Sequence, residues 1–245
     1  VDAGVIKLGD SIDVAVPTGN FGNIFAAYLA RRMGLPIRRL ICASNSNNIL
    51  TDFLTDGVYD RNRPFHTTMS PSMDILISSN LERLLYSVCG SDTEVAGYMA
   101  ELAGTGRYEV SDAVKAVIGK HFVGGYCSDD ETKSAINKVY TENGYLMDTH
   151  TAVAYNKLAA YRKDTGCVTP AVVVSTASPY KFCNSVLQAL GQESDAPGTE
   201  LIEKLSEVTK TAIPKPLEGL DRREKRFELV VDKLEMKATV ADFLK

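Results

Sequence analysis

The run at residues 11–23, SIDVAVPTGNFGN, constrains this chain more than any other stretch. Ile12, Val14, Ala15 and Val16 make an apolar run of strand character that ends at Pro17-Thr18. A Gly-Asn-Phe-Gly-Asn turn follows, and then IFAAYLA, which reads as the start of a helix. A strand that turns through glycines into a helix aims several unpaired N–H groups at one point, where the positive end of the helix dipole also lies. Both favour an anion, and a phosphate suits them. Gly19 and Gly22 allow close backbone approach and positive φ, and Asn20 and Asn23 add side-chain donors. The alternative is a tight βα turn with nothing bound. The run lacks the Gly-x-Gly-x-x-Gly spacing of dinucleotide binders and the Lys-Ser/Thr of a P-loop, so a smaller phosphorylated group fits it better than a nucleotide.

The rest of the composition narrows the class. With 245 residues there is room for one large or two small domains, and 44% hydrophobic with 24% charged residues describes an ordinary globular chain. A net charge of −4 offers no basic footprint, so no nucleic-acid partner is expected. Five scattered cysteines without a Cys-x-x-Cys read as reduced, mostly buried thiols, and so as a cytoplasmic protein. The three histidines stand in no metal-ligand spacing, and no metal is expected. No apolar run reaches spanning length, so no membrane partner is expected either. The chain opens on Val1 without a Met, which suggests a fragment.

The pattern predicts strand at 12–16, helix at 21–33, strand at 39–43 and helix or turn at 48–55. That is the strand–helix–strand spacing of a parallel sheet with right-handed crossovers. Residues 64–80 read as an ordered loop with a short strand, and 81–161 as mostly helical. Asn80 is a candidate N-cap, Ser128 and Glu131 form a capping box, and the polar groups of a helix at 151–161 read as a solvated face. Residues 171–175 read as a second buried strand. Thr176, after it, takes the place equivalent to the first turn, either as an N-cap hydroxyl or facing a ligand at the carboxyl ends of the strands. Residues 213–217 read as a linker and 221–245 as a charged amphipathic tail.

Several blocks in order now resemble the threonine synthases of the bacterial and fungal class. They are VPTGNFGNIFAAYLARRMGLPIRRLICASN, SPSMDILISSNLERLLY, DTHTAVAY, STASPYKF and IPKPLEGL, and they cover nearly the whole chain. The resemblance implies a fold-type II pyridoxal phosphate enzyme, an α/β open parallel sheet with flanking helices similar to tryptophan synthase β. It also implies that this chain is the carboxy-terminal part, incomplete because the amino-terminal part is absent. Four segments follow: 1–80 with the phosphate-binding part, 81–165 mostly helical, 166–212 returning to the α/β domain, and 213–245 as a tail.

The same resemblance implies that Gly19, Asn20, Phe21, Gly22 and Asn23 bind the phosphate of pyridoxal 5′-phosphate, and that Thr176 lies near its pyridine nitrogen. A neutral hydroxyl there hydrogen-bonds the nitrogen without holding it protonated. The reaction implied converts O-phospho-L-homoserine and water to L-threonine and phosphate. In the family the Schiff-base lysine lies in a Phe-Lys-Asp block, which does not occur in this sequence. No catalytic residue is therefore expected in this chain, and the isolated chain is expected to be inactive. Lys181 matches an additional family lysine and reads as surface or helix start. Ser178 stands where many relatives have His, which leaves open any role of that His. Asn80 and Arg83 are either substrate-phosphate contacts or a helix cap and a surface arginine, and His150 is either structural or near substrate. The full-length family is often monomeric, and a fragment with exposed apolar surface is expected to self-associate. Two alternatives stand beside this reading: another pyridoxal phosphate lyase, such as a serine/threonine dehydratase, or a non-catalytic remnant that binds a phosphate or a partner.

Overall fold

In the computed structural model, all residues except 193, 195, 197 and 225 are described. Four parallel strands form the main sheet, in the order β5-β2-β1-β6. They are β1 (Ile12–Pro17), β2 (Ile37–Ser44), β5 (Phe122–Tyr126) and β6 (Ala171–Val173). The helix α1 (Gly22–Arg32) makes the crossover from β1 to β2, as the strand–helix–strand spacing requires. The β1–β2 register shifts once, between Ile12 and Asp13; beyond it Val14 stands opposite Leu40 on one side and Val172 on the other.

Alternation along the two inner strands divides the core. Val14, Val16, Leu40 and Cys42 face a cluster shared with α1, with α2 (Ile49–Asp56), with α3 (Leu81–Cys89) and with α5 (Asp112–Gly119). Ala15, Ile41 and Ala43 face the other side, against Val153, Ala154 and Leu158 of α7 (Thr149–Thr165). Two alanines on that face leave room for α7 to approach closely. Residues 149–154 are consequently all buried, so Thr151, at the start of the 151–161 stretch, lies in the interior and not on the expected solvated face. A third cluster joins α6 (Asp129–Asn143), α8 (Cys183–Ala189) and α9 (Glu200–Thr209).

Other expectations need correction. The stretch expected to be mostly helical does contain α3, α4 (Asp92–Thr105), α5, α6 and most of α7, but β4 (Arg107–Glu109) and β5 interrupt it. β4 pairs antiparallel with β3 (Val58–Asp60), and Tyr59 stacks on Tyr108 with ring centroids 5.2 Å apart. Strands of three residues are too short to display a period. β6 is shorter than expected, and it is an edge strand with Val172 49% exposed, because among the described residues it pairs only with β1. The loop at 64–80 holds a 3₁₀ turn, Pro71–Met73, and no strand. The tail ends in α10 (Met236–Phe243), none of whose residues is buried.

Candidate functional site

The 64–80 loop is held by a buried polar network across the carboxyl ends of β1 and β2. Asp74 is its centre. One carboxylate oxygen accepts from Asn45 Nδ2 (2.7 Å), Asn47 Nδ2 (3.0 Å) and Thr68 Oγ1 (2.8 Å), and the other from the Thr68 N–H (2.9 Å). Backbone groups that would otherwise seek a strand partner are satisfied by these side chains, which is why the loop stays irregular yet ordered.

This loop shapes the β1–α1 turn. The Ser78 hydroxyl donates to the Gly19 carbonyl at 2.8 Å. Asn80 donates twice to the Asn20 carbonyl, from its backbone N–H (3.1 Å) and from Nδ2 (2.7 Å). The Phe21 carbonyl accepts from the Phe25 N–H. With their carbonyls tied back, the N–H groups of Gly19, Asn20, Phe21, Gly22, Asn23 and Ile24 donate to no protein group among the described residues. Asn80 does occupy the N-cap position of α3, but its side chain makes no cap bond, being committed to Asn20.

The glycines serve a different purpose from the one expected. Neither Gly19 nor Gly22 has positive φ; the left-handed residue is Phe21, at φ 65°. A buried non-glycine residue in that region costs on the order of 1–2 kcal/mol. The Phe21 ring offsets the cost, since it is buried and lies 5.6 Å from the Phe122 ring. Gly19 is required by crowding: a Cβ there would stand 2.8 Å from the Ser72 carbonyl oxygen and 3.2 Å from Met73 Cα. A Cβ on Gly22 would make only an ordinary 3.5 Å contact with Asn80.

A second set of bonds holds the Ser72–Met73 wall from the far side. Asp148, the N-cap of α7, accepts from the His150 and Thr151 N–H groups, from the Thr151 hydroxyl and from His150 Nδ1 (3.2 Å). His150 Nε2 accepts from the Ser72 N–H at 3.2 Å. A backbone N–H can only donate, so the network assigns the proton to Nδ1 and leaves Nε2 bare. Burial alone would raise the Asp148 pKa, but these hydrogen bonds outweigh it and hold the carboxyl below its ordinary value.

The turn, the wall and the β6–α8 connection enclose a cavity of about 300 Å³. Gly19, Asn20, Phe21, Gly22 and Asn23 line it together with Asn80, His150, Thr176 and Lys181. The turn and Thr176, distant in sequence, therefore meet at the carboxyl ends of neighbouring strands. Thr176 is not an N-cap. That task falls to Ser178, whose hydroxyl accepts from the Tyr180 N–H at 3.3 Å, and this leaves the Thr176 hydroxyl without a described partner. Lys181 is exposed and ends the 3₁₀ turn Pro179–Lys181, as expected of a helix-start residue, yet it also lines the cavity. Arg83 does not: it lines a separate surface groove with Phe25, Tyr86 and Met99. The wall residues Ser72 and Met73 were missed in the sequence, where nothing local marks them.

No carboxylate lines this cavity among the described residues. Nor does it contain an activated thiol: burial pushes nearby Cys42 up to about 12. Open N–H donors, amide side chains and one ammonium suit a small anionic ligand. Among the described residues no group of side chains could hold a metal ion, and no helix is long and apolar enough to cross a membrane.

Residues 151–240 match the family model "Threonine synthase, C-terminal". The chain is 44% identical over 193 residues to human threonine synthase-like 1, covering 78% of this chain and 25% of that protein. It is 35% identical over 241 residues to threonine synthase of Saccharomyces cerevisiae, covering 91% and 45%. Among solved structures, PLP-bound threonine synthase from Brucella melitensis superposes with a TM-score of 0.81 at 35% identity, over 99% of this chain and 47% of that one. The yeast enzyme superposes at 0.82 and 31% identity, over 96% and 47%. The chain thus spans less than half the length of each of these relatives. Its parallel sheet, its turn-and-loop site and these matches agree: the chain belongs to the threonine synthase family and corresponds to a carboxy-terminal part of it.

Proposed function

We propose that the cavity is the phosphate and ring-nitrogen side of a pyridoxal 5′-phosphate site, within a lyase that converts O-phospho-L-homoserine and water to L-threonine and phosphate in the cytoplasm. The observation that carries this reading is the set of six consecutive N–H groups, Gly19 to Ile24, left open at a helix start. Their residues line a cavity that also holds the Thr176 hydroxyl, which has no protein partner among the described residues. The residues present fit the cofactor. The open donors and the start of α1 suit a phosphate dianion, and among the described residues no lining carboxylate stands to repel it.

Bound pyridoxal phosphate would supply an electron-withdrawing ring. The N–H groups of residues 19–24, with the Asn20 and Asn23 amides, hold its phosphate. Thr176 donates to the ring nitrogen without protonating it, which sets how strongly the ring withdraws electrons. The Ser72–Met73 wall, locked by His150, fixes the width of the slot. Lys181 is the only lysine on the cavity lining among the described residues, and it stands on an exposed turn. The proton-shuttling amine is accordingly assigned to the part of the family fold that these 245 residues do not include, and the chain alone is expected to be inactive.

The test is a titration of the chain with pyridoxal phosphate followed by absorbance, then borohydride reduction, lysine mapping and an assay for phosphate and threonine. Noncovalent binding without a stoichiometric lysine adduct and without turnover is expected. Saturating binding that the Gly19→Val change leaves intact would contradict the site. A single stoichiometric adduct with phosphate release would contradict the assignment of the amine. The 44% identity to a protein named threonine synthase-like favours a second reading, a lyase of the same site acting on another substrate. Phosphate release without threonine, from a longer form of the protein, would favour it.

A further inference from the structure

The main sheet ends on β5, whose residues read FVGGY and which pairs only with β2 among the described residues. The Leu40 N–H donates to the His121 carbonyl, and the Cys127 N–H to the Ser44 carbonyl. Bonding alternates along a parallel ladder, so Val123 and Gly125 bond to β2, while Phe122, Gly124 and Tyr126 turn their N–H and C=O groups to the open edge. Those groups have no partner among the described residues. No charge, proline or bulge blunts this edge.

The helices α2 and α7 flank the edge without covering it. A Cβ on Gly124 would stand 3.0 Å from Thr51 Cα of α2, and one on Gly125 3.1 Å from Lys157 Cδ of α7. Between the helices a slot of about 490 Å³ follows the strand, with apolar surface from Ile41, Val123 and Tyr161. Lys157 and Asp164 line its α7 side, and neither is in an ion pair among the described residues. α7 runs against the strands: its cap, Asp148, stands by the cavity wall, and Tyr161 reaches Arg38 at the start of β2. Lys157 therefore lies towards the carboxyl end of β5 and Asp164 towards its amino end, about 10 Å apart along the helix.

The chain carries a segment that fits this slot. Residues 226–231, RFELVV, have strand-forming types yet lie in neither helix nor strand. Phe227, Leu229 and Val230 are exposed, and Arg226 and Glu228 are in no ion pair among the described residues. In strand form Arg226 and Glu228 share one face, about 6.6 Å apart, and Phe227 and Leu229 share the other. Laid parallel to β5, the segment brings Arg226 to Asp164 and Glu228 to Lys157, and the long side chains span the remaining distance. Laid antiparallel, it would set like charges together. Phe227 and Leu229 then turn to the α2 side, where Leu54 lies beside Gly124. Within its own chain the segment is exposed and not in the slot, so the occupant with this sequence is another copy.

We propose that residues 226–231 of a second copy of this chain add to β5 as a fifth parallel strand, and that two copies exchange these segments reciprocally across a two-fold axis. The slot shares no lining residue with the cavity at the β1–α1 turn, so this interface stands independently of the cofactor reading.

Sedimentation equilibrium over a concentration series tests it, with circular dichroism as the check on folding. The unmodified chain is expected to dimerise. Asp164→Arg and Arg226→Asp each place two like-charge contacts in a dimer, and each alone should dimerise about 10-fold more weakly. An equimolar mixture of the two variants should recover the unmodified affinity, because each slot then meets a segment of opposite charge. Lys157→Glu and Glu228→Lys should behave as a second such pair. The double change Glu228→Pro with Leu229→Pro, in an exposed segment, removes a ladder donor at one position or the other and should leave a folded monomer. A chain that stays monomeric up to about 1 mM overturns the proposal. A dimer that survives the double proline change also overturns it. So does weakening by the single variants that mixing fails to repair, since the contact would then lie within one copy.

Discussion

Two connections meet at the cavity, and they are built differently. The β1–α1 turn is tied from outside. Ser78 and Asn80 hold its carbonyls, the Ser72 carbonyl lies where a Cβ on Gly19 would sit, and the buried Phe21 ring anchors it. The β6–α8 connection follows an edge strand, and Thr176 and Lys181 are exposed on it. The Ser178 cap is its own local support. A phosphate cradle must be rigid before the ligand arrives, because donors that have to reorganise lose affinity. The groups facing a variable ligand can stay open. Substitutions in the first connection should therefore damage the fold and binding together, and those in the second should change binding alone.

The largest effect is expected from Phe21→Ala. Removing a buried ring costs about 3–5 kcal/mol, and urea unfolding should show a corresponding loss. A loss below about 1 kcal/mol would mean that the ring does not anchor the turn. Next comes Gly19→Val, which drives a side chain into Ser72 and Met73. Overpacking of this kind costs about 1–3 kcal/mol, and pyridoxal phosphate affinity should fall with it. Asn80→Ala removes the Nδ2 bond to the Asn20 carbonyl, leaves the backbone one, and should cost about 1 kcal/mol, with a smaller fall in affinity.

Acid should act on the wall between the two connections. The folded-state pKa of Asp148 is depressed, so its contribution is present above the ordinary carboxylate value. It is lost as pH falls through the depressed folded value. The stability difference between the unmodified chain and Asp148→Asn should accordingly be full at neutral pH and shrink below about pH 4. A difference that grows on acidification would contradict the hydrogen-bond assignment. The smallest stability effect is expected from Thr176→Val. Its hydroxyl has no described protein partner, so unfolding should change by no more than about 0.5 kcal/mol while the spectrum or affinity of bound pyridoxal phosphate changes.

The two connections also differ in how far they could be read from sequence. The β1–α1 turn was legible because Val14, Ala15 and Val16, a glycine pair and an apolar helix follow one another locally. Ser128 and Glu131 were legible in the same way, and both bonds of their capping box are present. What the sequence hides is long-range. That Phe21 takes the left-handed conformation depends on Phe122, a hundred residues away. That Gly19 is needed for space depends on Ser72, and that His150 is a bare acceptor at Nε2 depends on the same residue's N–H. Of the two roles open to Thr176, capping falls to Ser178, two residues on. β3 and β4 escape notice because three residues show no alternation, and their pairing is set by Tyr59 against Tyr108.

The central claim is that residues 19–24 form a preformed phosphate cradle. Amide nitrogen–proton NMR of the labelled chain, titrated with inorganic phosphate and then with pyridoxal phosphate, tests it most directly. Saturable shifts concentrated at the amides of Gly19, Phe21, Gly22 and Asn23, tighter for pyridoxal phosphate and absent in Gly19→Val, are the expected result. Shifts confined to surface lysines, or none at this turn at saturating pyridoxal phosphate, would contradict it.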